Sequence, residues 1–173
     1  MYMEPKGLNA SKRAVEDFAE AVANHLGFKP GDDVSELVHR LGGKIVYETH
    51  ALAGSDSGYI EAATVNDFTI YLSTVTARTR DRFTMAHELG HLFLHLDDVK
   101  RHGAHCVMRA TRHVNFEDPS QQRAEWEANW FAAAFLMPAG PFKETWQSKK
   151  AWTPMQFDVS PAAAEVRAKS LGL

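Results

Sequence analysis

The chain has 173 residues, 45% hydrophobic and 24% charged, the balance of one globular domain large enough to bury a core. A formal net charge of −3 offers no basic field for nucleic acid, and a single cysteine, Cys106, excludes an intrachain disulfide. The opening residues lack the apolar region of a secretory signal and the longest apolar run, 130–137, is too short to span a bilayer, so a cytoplasmic location is expected.

No internal repeat, low-complexity tract or obvious linker interrupts the chain. Asn9 or Ser11 caps a first helix, in which Val15, Phe18, Ala19, Val22 and Leu26 recur at helical spacing until Gly27 stops it. Asp33 and Glu36 form a capping pair for a second helix with Val34, Leu37, Val38 and Leu41 on one side, ended by Gly42 and Gly43. Three strands follow: KIVYE at 44–48, GYIEAA at 58–63 and DFTIYLS at 67–73. The last two form a hairpin through Val65 and Asn66, and the turn-rich GSDSG at 54–58 separates them from the first. A third helix is predicted from Thr79 as N-cap to about Leu96. Asp97 and Asp98 then open a polar loop reaching Glu117. Asp118 followed by Pro119 marks the start of a fourth helix, which ends before Pro138. A short helix after Pro141 and a last one capped by Ser160, with Pro161 behind it, complete the chain. Three strands grouped among helices indicate an α+β fold with a small three-stranded sheet.

Nine histidines is a high count for this length, and five lie between His87 and His105. His87, Glu88 and His91 form an H-E-x-x-H motif in the third helix. Residues four apart differ by about 40° around a helix axis and about 6 Å along it, so His87 and His91 can turn their ring nitrogens toward one ion. Glu88, rotated by about 100° from His87, flanks that ion and is placed to take a proton from a water molecule acidified there. Phe83, Met85, Leu89, Leu92, Phe93 and Leu96 cover much of the same helix, which predicts its burial. Burying three ionisable groups is costly without a partner, and a metal ion is such a partner.

Two histidines need a third ligand. His95 lies about 12 Å along the axis from His87, too far to share its ion, and reads as a polar group facing the loop at the helix end. His102, His105 and Cys106 form an H-x-x-H-C cluster in that loop, with the residue types but not the full ligand set of a metal site. On the fourth helix Glu125 and Glu127 stand about 200° apart, so only one faces the ion. Glu125 shares its face with the small residues Ala128 and Ala132 and with Asn129, which can accept a hydrogen bond from a ligand histidine. Glu127 shares its side with Phe131 and Ala134 and reads as packing or surface. The third ligand is therefore expected to be Glu125.

FTMAHELGHLFLH at 83–95, EWEANWFAAAFLMP at 125–138, the SGYI strand, the RTRDRFT helix start and the closing FDVSPAAAEVRAKSLGL together resemble the ImmA/IrrE group of zinc metallopeptidases. The resemblance covers most of the chain from about Ser57 onward. It implies a compact zincin-type domain over residues 1–173, with 141–173 as a C-terminal helical extension, an H-E-x-x-H helix and a second ligand-bearing helix. It also implies Zn²⁺ held by His87, His91 and Glu125, with Glu88 as catalytic base. Family members cleave a helix-turn-helix repressor or antitoxin in phage, mobile-element or stress-response circuits, and many carry a further DNA-binding or sensor domain. This chain has no room for one, so a partner protein is expected to supply regulation or substrate. His105, His113 and Tyr59 are the possible donors to the developing oxyanion, and the sequence does not choose among them.

Two other readings compete. The metal could be structural, in a nonproteolytic module that holds a partner in a toxin–antitoxin or phage regulatory pair. An intact Glu88 counts against that, because a structural zinc site has no use for it. The closing segment also resembles half of a helix-turn-helix bearing Arg167 and Lys169, but a lone basic pair among alanines is a poor phosphate-binding surface. It reads as a packing or docking helix, and direct nucleic-acid binding is not expected.

Overall fold

The computed structural model describes residues 1–49, 58–111 and 118–173. Most of GSDSG and His113 lie outside them. The elements run β1 (Tyr2–Met3), α1 (Lys12–His25), α2 (Val34–Arg40), β2 (Lys44–Glu48), β3 (Tyr59–Thr64), β4 (Asp67–Ser73), α3 (Arg78–His102), β5 (Val107–Thr111), α4 (Pro119–Leu136), α5 (Ala139–Lys149), α6 (Thr153–Phe157) and α7 (Pro161–Ser170).

The fold is α+β, but its sheet has five strands where three were expected. Their order is β1-β5-β3-β4-β2, antiparallel through the centre and parallel at both edges. The predicted hairpin is the β3–β4 pair, with Ile60 opposite Ile70. β5 pairs with the other side of β3, and β1 adds to β5. Both additions fall where the sequence gives little warning. β1 is two residues long, and β5 alternates buried Met108 and Ala110 with half-buried neighbours over only five residues. Within the loop expected from Val99 to Glu117, residues 99–102 continue α3 and Val107–Thr111 form β5; residues 112–117 lie outside those described. α3 runs on to His102 because Leu96 and Val99 continue its buried stripe. Lys100, Arg101 and His102 in its last turn suit the negative end of the helix dipole.

Side chains alternate across the sheet. Ile60, Ala62, Phe68, Ile70, Leu72, Met108 and Ala110 form the core face, against which α3 packs. Tyr59, Glu61, Tyr71 and Arg109 are on the other face, with Tyr59 and Tyr71 stacked at 4.3 Å and Arg109 over the Tyr59 ring. Tyr59 therefore stands across the sheet from α3 and is removed as an oxyanion donor.

Four helix caps follow the sequence, but that of the third helix does not: α3 opens one residue before the expected cap Thr79, with Ala77 at the N-cap and no side-chain cap bond. The side chains of Ser11, Asp33, Asp118 and Ser160 each accept from a backbone amide in the first turn of the helix they open. Gly42 ends α2 at φ +90°, where any Cβ would also meet the Asn66 carbonyl oxygen at 2.5 Å. α5, α6 and α7 contribute Phe142, Phe157, Ala164 and Ala168 to the same core as the sheet and α3. Arg167, 1% exposed, donates to the Met137 carbonyl and pairs with Glu16 of α1, so α7 packs through the cation that a DNA-binding reading needs on the surface. Among the described residues no helix is long and apolar enough to cross a membrane.

Candidate metal centre

α3 and α4 pack closely because their facing surfaces are small. Gly90 of α3 sits over Ala128 of α4, and a Cβ there would lie 3.2 Å from the Ala128 Cα and carbonyl oxygen. That approach brings three side chains together. His87 and His91, 0% and 1% exposed, face one another through their Nε2 atoms at 3.1 Å. Glu125 closes the group, with Oε2 3.2 Å from His87 Nε2 and Oε1 3.0 Å from His91 Nε2. Among the described residues these three are the group whose ligand atoms converge, all within 4.8 Å of one another.

The chemistry of these donors fits a metal ion. A tetrahedral site with bonds of about 2.0–2.1 Å places its ligand atoms about 3.3 Å apart. His87 Nδ1 lies 3.0 Å from Asn129 Oδ1, an acceptor, so Nδ1 carries the hydrogen and Nε2 turns a lone pair inward. Lone pairs from two imidazoles and a carboxylate at these separations repel unless a cation or a proton sits among them. Burial raises the pKa of Glu125, but its contact with His87 and His91 outweighs that and holds the carboxyl well below the usual range. Glu88 is 1% exposed in the same turn of α3 as His87.

The two glutamates of α4 differ from expectation in their surroundings. Glu125 is the more open, with 15% of its side chain exposed, whereas Glu127 is fully buried. Its surface reading is corrected. Glu127 accepts from His95 Nε2 at 3.0 Å, from the backbone amides of Leu8 and Ala10 at 2.9 and 3.1 Å, and from Arg123 Nε at 3.2 Å. His95 is corrected with it. It does not face a loop at a helix end, because α3 continues past it and buries it completely, with Nδ1 3.2 Å from His91 Nδ1. Burial pushes the His95 imidazole below its ordinary pKa against the opposing hydrogen bond to Glu127. The sequence signal was the row His87, His91, His95: residues at i, i+4 and i+8 stand in one line, so the outer two can each touch the middle one. The H-x-x-H-C cluster does not assemble. His102 and His105 are exposed, His102 lies against Asp98 of its own helix, and Cys106 is buried.

A family model described as Peptidase_M78, the IrrE N-terminal-like domain, matches residues 44–169. No curated protein matches the chain significantly. Among solved structures, a Mycobacterium tuberculosis transcriptional regulator superposes with a TM-score of 0.61 at 16% identity, over 90% of this chain and 46% of that one. At that identity the likeness is one of fold, and the chain spans less than half of the regulator's length.

Proposed function

Because the chain belongs to the IrrE N-terminal-like peptidase family, the ImmA/IrrE group, we propose that it is a zinc-dependent endopeptidase whose substrate is a helix-turn-helix repressor or antitoxin. The observation that carries this reading is the convergence of His87, His91 and Glu125 at 3.0–3.2 Å beside a buried Glu88. A zinc ion held by such a set acidifies a water molecule and polarises the carbonyl of a scissile peptide. His87, His91 and Glu125 fix the position of that chemistry, and Asn129 fixes the ring of His87. Glu88 takes a proton from the attacking water and returns it to the leaving amine.

Asn129 also lines a groove of about 650 Å³ with Phe83, Trp130, Ala133, Val159 and Ala163. An apolar groove reaching a residue of the centre suits a polypeptide with hydrophobic side chains. The regulatory setting draws on the family and is in keeping with a structural neighbour that is itself a transcriptional regulator.

Glu88→Gln tests the reading. The variant is expected to bind zinc as the wild type does and to lose cleavage by at least about 10²-fold, the scale of a general base. Used as a trap, it should retain a repressor that the wild type cuts, and a chelator should abolish the cutting. Zinc binding with an unchanged partner captured and no cleavage by the wild type would favour the nonproteolytic binding module instead.

A further inference from the structure

A buried imidazole, His95, touches His91 of the triad with one nitrogen and a buried carboxylate, Glu127, with the other. His95 and Glu127 are each 0% exposed. A carboxylate taken out of water costs several kcal/mol unless donors surround it. Here four do: the Leu8 and Ala10 amides, Arg123 Nε and His95 Nε2. A carboxylate so occupied has little room for a proton, so the hydrogen between Glu127 and His95 stays on His95 Nε2.

The consequence passes along the row. With Nε2 protonated, the neutral His95 ring has its lone pair on Nδ1, and that atom lies 3.2 Å from His91 Nδ1. Two ring nitrogens attract at that distance when one donates, and here only His91 can. Its Nδ1 then carries the hydrogen, and its Nε2 presents a lone pair to the point where His87 Nε2 and Glu125 Oε1 also aim. The opposite arrangement would aim an N–H at the same point and close it to a cation.

We propose that Glu127 and His95 form a positioning relay that sets the tautomer and ring orientation of His91, so that its Nε2 is held ready for the metal. Neither residue binds the ion or touches substrate. His87 receives the same service from one exposed amide, Asn129, whereas His91 receives it from a buried chain ending in a full negative charge. That charge polarises both imidazoles in one direction and fixes the ring of His91 more firmly than the exposed amide fixes His87. The relay rests on the metal reading only in taking His91 Nε2 as a ligand; the tautomer it requires belongs to the metal-free protein.

Long-range proton–nitrogen correlation spectra of the full, metal-free chain decide it first. His91 is expected with hydrogen on Nδ1 and His95 with hydrogen on Nε2, and a His91 protonated on Nε2 but not on Nδ1 would overturn the relay. Zinc affinity by chelator competition supplies the second arm. His95→Leu removes the acceptor and should weaken zinc binding by about 10–100-fold. His95→Asn returns an acceptor near the place of Nδ1 and should recover part of that loss, which a purely space-filling role would not. Equal losses in the two folded variants, or none in His95→Leu, count against the relay; if neither variant folds, the wild-type tautomers alone decide it. The two failures are separable, because a wild type that binds no zinc overturns the metal centre, whereas a reversed His91 tautomer overturns the relay.

Discussion

Each imidazole of the triad is governed by what its far nitrogen touches. For His87 that is Asn129, an exposed side chain, so water can take over the acceptor role when the amide is lost. Asn129→Leu should therefore loosen zinc by less than about tenfold, a smaller effect than His95→Leu in the same competition assay. Glu127 belongs to the residue scale too. Burial raises its pKa, but the bonds from His95, Leu8 and Arg123 outweigh it and leave the carboxyl below its ordinary 4.5. A carboxyl depressed in the folded state adds stability that is fully present above the unfolded value and is lost as pH falls through the folded one. The metal-free protein should thus lose thermal stability as pH drops below about 4.5, and Glu127→Gln should remove part of that slope; an unchanged slope in the variant would refute the assignment. The motif residues were legible in the sequence because their spacing alone brings His87 and His91 to one side. The partners His95 and Glu127 were not, because ligand reach was the wrong measure for them. His95 acts on His91 one turn away, and Glu127 on His95 from another helix.

At the scale of elements, the centre depends on how closely α3 approaches α4. The contact at Gly90 is already tight, with the Ala128 backbone and the Phe131 Cβ each 3.2 Å from where a Cβ would be. Alanine there sets about 1 kcal/mol of helix propensity against the crowding. Leucine is unambiguous: Gly90→Leu should push α4 outward, cost about 1–3 kcal/mol in denaturant unfolding and weaken zinc binding together with stability. Wild-type zinc affinity in that variant would mean that Glu125 follows His91 despite the displacement. α3 announced itself through its apolar run and motif, although its expected cap Thr79 lies inside the helix, and Asp118–Pro119 marked the start of α4. The end of α3 and the whole of β5 did not. Beyond Leu96 the solvent-facing positions of α3 are charged, and Val99 alone continues the buried stripe. The strand that follows owes its place to β3 and β1, partners distant in sequence that a five-residue alternation does not reveal.

Across the whole molecule, the first residues of the chain end up far from their sequence neighbours. β1 lies along the edge of β5, Gly7 packs on Arg123 closely enough that a Cβ would meet its side chain at 2.4 Å, and the Leu8 and Ala10 amides close over Glu127. The same carboxylate thus holds the N-terminal segment and His95 at once, its Oε2 shared between the Leu8 amide and His95 Nε2. Ordering of one favours ordering of the other, and thermodynamic reciprocity makes the coupling equal in both directions. Zinc should therefore slow hydrogen exchange at the Leu8 and Ala10 amides, although neither residue is near a ligand atom in sequence; exchange indifferent to zinc would mean that the clasp is passive. If the centre holds a metal, loading it also fastens the N-terminal segment, so loss of the metal would loosen that segment and offer it to cellular proteases before the core gives way.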